Sequence, residues 1–455
     1  MTEQLKLKLN DSKATRWGAL VIVAFTMMAA YYVNDVVAPL KTMLETDLAW
    51  SSTDFGFFTG GYSFLNVFFL MLIWGGLILD RFGIRFTGKL ATILMVGGTA
   101  LEYYAMTGLA GADATLFGIN EIFGYKTGVF VAFAGYSIFG VGAEVAGITV
   151  SKIIAKWFKG KELATAMGVQ VALARIGSQA GYAVAIPLAR AFGISTPVLL
   201  GLVLLLGGMI AFFVFAVMDK KLDKQMEAAA IAAGTEDEEE KFSFKDVKNI
   251  LVNPGFWLIA LLCVLFYSCV FPFQKFASEL MIIKYGINEN VAGTFAGLPA
   301  LGALILTPVF GGFIDKRGKS ASIMLLGSAM LICVHFIYAI PDINYWLVAI
   351  VLMIILGIAF SLVPSAMWPA VAKIFPVSQL GTAYALIFFI QNIGLWGIPT
   401  LIGWVLDAYC ISGKKPDGTN MYDYTVPMCI FTGIACLSLI VALLLKKADK
   451  KYGYK

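Results

Sequence analysis

Two charged residues, Glu144 and Arg175, stand deep inside apolar stretches of the sequence. At 1.5 Å per helical residue, Glu144 lies roughly 16 Å and Arg175 roughly 20 Å from the inner end of its stretch. Both fall near the middle of a hydrocarbon core about 30 Å thick, where a charge costs at least about 2.5 kcal/mol. A guanidinium can grip a carboxylate with two hydrogen bonds, and a carboxyl can accept an ammonium or carry a proton. The pair predicts a site for both ends of a zwitterion; the alternative is a plain salt bridge between two helices.

Further polar and aromatic side chains in apolar stretches are candidates for the same site. They are Tyr31, Tyr267, Trp368, Gln391 and Asn392. Trp368 lies between Pro364 and Pro369, which free backbone carbonyls and place the ring by a kink. We expect these residues to line one cavity with the two charges.

Other residues are candidates for an outer gate. Asp35 lies near the outer end of the first apolar stretch, so it is expected at the mouth of the site. Pro272 loosens a later helix among aromatic residues that could close over the substrate. Lys275 and Glu279 are four residues apart and are interpreted as an ion pair at one helix end.

The composition indicates which elements carry these residues. The chain of 455 residues is 59% hydrophobic and 14% charged, with a mean hydropathy of +0.82, whereas soluble domains carry about 25% charged residues. Apolar stretches of about 20 residues span a bilayer as helices. We predict an all-α polytopic membrane protein with twelve transmembrane helices. They cover residues 17–40, 54–79, 87–108, 127–155, 162–189, 194–218, 255–279, 291–314, 320–340, 344–371, 380–407 and 425–446.

Charge distribution sets the expected orientation. Most of the 34 Lys and Arg residues fall in segments that become cytoplasmic when both termini are inside. The net charge of +5 is therefore a topology signal and does not point to nucleic acid. Residues 1–16 lack the apolar core of a cleavable signal peptide, and the outer loops are short, so we expect the plasma membrane of a prokaryote. The predicted divisions are a tail at 1–16, a six-helix bundle at 17–218, a cytoplasmic linker at 219–253, a second six-helix bundle at 254–446 and a tail at 447–455.

The two predicted bundles repeat each other in sequence. AKWF at 155–158 matches AKIF at 372–375, and without a gap this alignment places Asn392 opposite Arg175. GGLILDRFGIR at 75–85 has a counterpart, GGFIDKRGK, at 311–319. Parallel repeats with a site at the bilayer midplane are typical of secondary transporters. The repeat duplicates packing but not the charge, which suggests that one half anchors the polar ends of the substrate.

The duplicated loop resembles the signature of the major facilitator superfamily, and longer strings resemble its lysosomal dipeptide transporter branch. These strings are WFKGKEL at 157–163, ARIGS at 174–178, VFPF at 270–273, QLGTAY at 379–384 and QNIG at 391–394. The resemblance implies a dipeptide uniporter in which Glu144 and Arg175 read the two ends of a peptide, with Tyr267 and Trp368 in the same cavity. It also implies that the loop residues latch an inner gate; topology anchoring is the alternative. These loop residues are Asp80, Arg81, Arg85, Asp315 and Arg317.

Several functions are disfavoured by what the sequence lacks. No nucleophile–base set, phosphate-binding loop or cysteine cluster with metal spacing is present, so neither an enzyme nor a cofactor nor a metal site is expected. The expected partners are a small zwitterion, most simply a dipeptide, and the lipid bilayer, with the protein acting as a monomer. Two alternatives stay open. One is an exchanger or proton symporter of small carboxylates, with Glu144 as the proton site; the other is a receptor that does not transport.

Overall fold

The computed structural model describes residues 8–111, 114–233, 244–317 and 319–452. Long helices dominate it, as the apolar stretches predict. They are α1 (Lys13–Val36), α2 (Lys41–Asp47), α3 (Ser52–Phe68), α4 (Met71–Thr107), α5 (Thr127–Trp157), α6 (Leu163–Phe192), α7 (Thr196–Ala233), α8 (Phe244–Leu251), α9 (Pro254–Tyr285), α10 (Glu289–Ala296), α11 (Leu298–Arg317), α12 (Ser320–Ala339), α13 (Trp346–Ile374), α14 (Val377–Tyr409) and α15 (Thr425–Tyr452).

Within these described ranges, nine helices are long and apolar enough to span a membrane, or ten if the bent pair α3 and α4 counts as one span. Together α3 and α4 cross the membrane twice, because the chain reverses its direction inside α4, at Gly83. The 30-residue α6 is also long enough, but its polar side chains lower its hydropathy. The described helices thus make twelve passes in two six-helix bundles, and the predicted fold class is confirmed.

Two of the predicted helix boundaries are wrong. The second span is not continuous over 54–79, because Phe69 and Leu70 break it and Leu70 has a left-handed φ of 54°. The axes of α3 and α4 differ by 58° across this break. No separate loop follows at 80–86: α4 continues through it with one non-helical residue, Gly83, at φ 74° and ψ 173°.

The packing of α4 on α5 shows that the chain turns back at Gly83. Gly75, before the turn, packs on Val145, and Ala91, after the turn, packs on Gly142. Positions 142 and 145 are one helical turn apart, so both limbs of α4 lie at the same height on α5. A positive φ is readily available to glycine, which allows this tight reversal.

Two short antiparallel hairpins lie outside the helices, β1 (Glu121–Ile122) with β2 (Tyr125–Lys126) and β3 (Ile411–Lys414) with β4 (Asn420–Tyr422). They share one face of the molecule with α2. The other face carries the start of α1, the Gly83 turn and the end of α15. We call this the terminal face, because the even number of passes brings both chain ends to it, and we call the hairpin side the opposite face.

The two bundles touch mainly along α3 with α14 and along α6 with α10 and α11. Glycines bring these backbones close: a Cβ on Gly56 would lie 3.0 Å from Cα of Gly403. Gly60 packs in the same way against Trp396 and Thr400. Both contacts lie toward the opposite face, where the α3 N-terminus meets the α14 C-terminus. The predicted bundle boundaries stay a prediction, although α7 runs as one helix to Ala233, beyond 218.

Candidate functional site

A cavity of about 1500 Å³ lies between the two bundles. Six of the seven residues predicted for the substrate site line it: Tyr31, Glu144, Arg175, Tyr267, Trp368 and Gln391. They come from α1, α5, α6, α9, α13 and α14, so both halves of the chain contribute. The cavity extends past Leu77 and Asp80 to Val247, in α8, and therefore reaches the terminal face.

The prediction that Asn392 faces the cavity is wrong. Its side chain is 1% exposed and is absent from the cavity wall. The amide nitrogen donates to the Phe388 carbonyl one turn earlier in α14, at 2.9 Å. Helical periodicity separates neighbouring positions by about 100°, so Gln391 faces the cavity while Asn392 packs behind it.

Aromatic rings surround the Arg175 guanidinium. Its central carbon lies 4.9 Å from the Phe360 ring centroid and 5.6 Å from that of Tyr31. Phe360 belongs to α13 and Tyr31 to α1, so the cation is held between the two bundles. Cation–π contacts favour the charge without using its hydrogen-bond donors. The planar fork stays available to an anionic group.

The Glu144 carboxyl is held by a different residue. The Tyr62 hydroxyl of α3 donates to Glu144 Oε1 at 3.0 Å. Among the described residues, no ion pair joins Glu144 to Arg175, so the expected alternative of a helix-bridging salt bridge is not formed in this conformation. The cavity therefore presents an acidic group and a basic group separately.

The remaining wall combines aromatic surface with a few polar atoms. Trp368 packs at 4.9 Å from Phe388 and 5.7 Å from Tyr384 between ring centroids. Tyr267 is stacked on Phe271 at 5.5 Å. Such rings offer a sequence-tolerant surface to side chains of varied shape.

The sequence reasoning missed Tyr62 and Phe360. A signal for Tyr62 exists, because Thr59, Ser63 and Asn66 form a polar stripe around it at helical spacing in an apolar helix. Phe360 carries no such signal, since aromatic residues are common in apolar stretches.

Ion pairs close the opposite face. The Lys275 ammonium, on α9, lies 2.9 Å from Asp35 Oδ1, on α1, and also donates to the Asn34 carbonyl at 2.6 Å. Ser178 donates a hydrogen bond to the same Asp35 carboxylate. The predicted pair of Lys275 with Glu279 is wrong, because the two side chains of α9 find partners on the other bundle. Asp35 lies at an inter-bundle contact, and its gating role stays a prediction.

A second cluster, buried except for the partly exposed Lys415, lies further toward the opposite face. The Lys41 ammonium is 2.5 Å from both Glu45 and Glu279, and the side chain of Lys41 is 1% exposed. Lys415 approaches both carboxylates at 3.6 Å. Lys41 and Glu45 belong to the first bundle and the other two to the second, so these charges tie the bundles together. Arg190 and Glu289 form a further, more exposed inter-bundle pair.

Charges on the terminal face pair within the first bundle. Arg85 and Lys156 bind the buried Asp219 of α7, at 3.2 and 2.7 Å, and Lys152 lies 3.2 Å from Asp80. None of the ion pairs recorded at this face crosses to the second bundle in the described part of the chain, which agrees with an open cavity mouth. For Arg85 this geometry favours anchoring in the present conformation over a latch.

The remaining predicted gate residues form no ion pair between the bundles in the described part of the structure. Arg81 lies over the Phe82 ring at 5.5 Å, and Pro272 lines the cavity. The side chains of Asp315 and Arg317 lie outside the described part of the structure, so the second copy of the loop stays a prediction.

Most of the chain is similar in sequence to known membrane transporters. A family model described as the Major Facilitator Superfamily matches residues 20–399 and 285–452. The human lysosomal dipeptide transporter MFSD1 is 29% identical over 409 residues, covering 87% of this chain and 81% of that protein. The zebrafish (Danio rerio) protein of the same name is 27% identical over 441 residues, covering 94% and 86%.

Solved structures share the fold at low sequence identity. The nucleoside transporter NupG superposes with a TM-score of 0.69 at 12% identity, covering 94% of this chain and 98% of that one. A bacterial homologue of the human lysosomal transporter Spinster, solved inward-facing and unoccupied, gives 0.68 at 14% identity, covering 97% and 98%. These likenesses concern the arrangement of helices alone.

Proposed function

The chain belongs to the Major Facilitator Superfamily, and from that premise we propose that it transports dipeptides or similar small zwitterions by alternating access. Glu144 would receive the substrate ammonium and Arg175 its carboxylate. Trp368, Tyr267, Tyr31 and Gln391 would surround the middle of the substrate. The names of the relatives as dipeptide transporters support the substrate class.

One observation carries the proposal: the two opposite charges share a cavity without pairing. Tyr62 holds Glu144, and aromatic rings hold Arg175, so each keeps binding capacity for a ligand. A dipeptide spans at most about 7 Å between its ends at roughly 3.5 Å per residue. The two ends of a dipeptide can therefore bind two groups that face one space without touching each other.

The location of the open mouth suggests the state of the transport cycle. With the termini cytoplasmic, as the distribution of basic residues predicts, a cavity open to the terminal face is an inward-facing site. The ion pairs at the opposite face would then separate the substrate from the outside. We expect the protein in a prokaryotic plasma membrane, with an outward-facing state in which those pairs are broken.

A second candidate is transport of small carboxylates, by exchange or proton symport. It is favoured by the free hydrogen-bonding capacity of Arg175, which could bind a carboxylate without an ammonium at the other end. Glu144 would then hold a proton. The two candidates differ in whether the substrate needs a positive charge.

Thermal unfolding of the purified protein with matched ligands separates them, since ligands that bind the folded state raise its Tm. The panel comprises a dipeptide, its N-acetyl form, its C-terminal amide and a dicarboxylate. In the wild type we expect the free dipeptide alone to stabilise. We expect Glu144→Gln to be stabilised equally by the free dipeptide and its N-acetyl form. We expect Arg175→Gln to be stabilised equally by the free dipeptide and its C-terminal amide.

The control is Lys447→Gln, which removes an exposed charge near the end of α15. It should keep the wild-type pattern. Stabilisation by the dicarboxylate but not by dipeptides would overturn the proposal in favour of the second candidate. Equal effects of both end modifications in every variant would show that neither charge reads a peptide end.

A further inference from the structure

Glu102, in the limb of α4 after the Gly83 turn, is an acidic residue that the proposed substrate site does not use. Its side chain is 0% exposed, and neither carboxyl oxygen has a hydrogen-bond partner. It does not line the cavity. The backbone of α5 packs tightly beside it, because a Cβ on Gly135 would lie 2.8 Å from the Glu102 nitrogen. A carboxyl with two unsatisfied oxygens in this setting needs an explanation.

An ionised carboxylate at this position would be strongly disfavoured. Burying an unpaired ion costs several kcal/mol even after relaxation, and the hydrocarbon surroundings offer no water to share the charge. A protonated carboxyl avoids that cost, since it carries no net charge. The geometry therefore favours a neutral Glu102 in the conformation that is closed at the opposite face.

The groups that face Glu102 connect it to the gate. On α5, Tyr136 follows the Gly135 that packs on Glu102, and its hydroxyl and the Lys275 ammonium of α9 both donate to the Asn34 carbonyl. On α4 itself, the nearest titratable residues in sequence are Tyr103 and Tyr104. The helix α7 also packs on α4, and it has no titratable side chain over residues 196–218. Lys275 is thus the cation that this path of contacts connects to Glu102.

A short polar chain leads from Tyr136 to the same gate. The Tyr136 hydroxyl donates to the Asn34 carbonyl at 2.7 Å, and the Asn34 amide donates to Asp35 at 2.8 Å. Lys275 contacts both Asn34 and Asp35. Tyr136, Asn34 and Lys275 line the cavity, so water can reach this chain although it does not reach Glu102 itself.

We propose that Glu102 is a proton-binding site whose charge competes with Asp35 for Lys275. Proton loss to the cavity water leaves a buried carboxylate that attracts the Lys275 ammonium. That attraction weakens the ion pair across the bundles and favours opening of the opposite face. Proton binding restores the neutral carboxyl and the closed gate. The inference rests on the alternating access of the proposed function, but not on a dipeptide substrate.

Infrared spectroscopy tests the proton site directly, through the carbonyl band of a protonated carboxylic acid. We expect the wild type to show a band that is absent from Glu102→Gln and retained in Glu227→Gln, a matched change on an exposed part of α7. Glu102→Met should fold with no loss of thermal stability, because the neutral carboxyl makes no hydrogen bond. An unchanged band in Glu102→Gln would overturn the proposal.

Distance measurements between spin labels at positions 195 and 342 test the coupling. Ser195 and Asp342 lie in opposite-face loops of different bundles, so a longer distance reports opening. In the wild type without substrate, the open-to-closed ratio should rise with pH by up to about tenfold per unit, the limit for one proton. Glu102→Gln and Lys275→Gln should lose that response, and Glu227→Gln should keep it. A pH response that survives in Glu102→Gln refutes the coupling, and because no ligand is present, this result is independent of substrate identity.

Discussion

The glycine contact between α3 and α14 offers a way to shift the conformational equilibrium without touching a charge. A Cβ on Gly56 would lie 3.0 Å from Gly403 Cα and closer still to the Pro399 carbonyl oxygen. Backbone atoms cannot rotate away, so Gly56→Ala must push the two helices apart. This contact holds the bundles together near the opposite face and would be absent once that face opens.

The expected magnitude follows from the cost of overpacking, about 1–3 kcal/mol for an added carbon that meets a rigid neighbour. That cost falls on the closed conformation alone, so the open-to-closed ratio should rise roughly 5- to 150-fold, at about 1.4 kcal/mol per factor of ten. The gain in helix propensity from glycine to alanine applies to both conformations and cancels.

The assay is the distance distribution between spin labels at positions 195 and 342. Gly18→Ala is the matched control, since Gly18 lies in α1 with no atom within 4 Å of an added Cβ. We expect Gly56→Ala to populate the longer distance and Gly18→Ala to reproduce the wild type. A lower Tm for Gly56→Ala with an unchanged distance distribution would refute the reasoning, because the contact would then stabilise the fold without serving as a gate.

Three further predictions concern single side chains. Tyr62→Phe removes the hydrogen bond that positions Glu144, so we expect dipeptide affinity, measured by calorimetric titration, to fall by up to about tenfold, for a bond of about 1.5 kcal/mol. Asp35→Asn leaves Lys275 without an anionic partner, so spin-label distances should show the opposite face opening roughly tenfold or more. The pKa of Asp11 is lowered, because the ammonium of a lysine just before α6 donates to it at 2.6 Å. The ionised Asp11 carboxylate therefore stabilises the fold fully above the ordinary carboxyl pKa, and this stabilisation is lost as the pH falls below about 4. Asp11→Asn should reduce the decrease in Tm that the wild type shows below about pH 4.

Local sequence patterns predicted the fold well. Apolar stretches of membrane length fix where helices form, and the midplane depth of Glu144 and Arg175 follows from counting residues. The cavity contains both charges, as expected. The break at Leu70 was not predictable in the same way, because its neighbours are apolar and no glycine or proline marks it.

The partners of charged side chains were harder to predict. Lys275 and Glu279 have the spacing of a helical pair, yet each binds a residue more than 200 positions away, on the other bundle. Sequence spacing describes one helix, whereas these contacts depend on how two bundles meet. The prediction that Asn392 lines the cavity was wrong for a related reason. A sequence repeat identifies equivalent positions, but the rotation of the helix about its axis decides which side chain faces the cavity.

The most direct test of the central claim is dipeptide flux into proteoliposomes that contain the purified protein. The account predicts saturable uptake of a labelled neutral dipeptide that is inhibited by other free dipeptides and not by N-acetylated or amidated ones. It also predicts that Arg175→Gln abolishes this uptake while Lys447→Gln preserves it. Folded wild-type protein that carries no dipeptide, or uptake that survives in Arg175→Gln, would contradict the claim that the separated charges bind the two ends of a zwitterion.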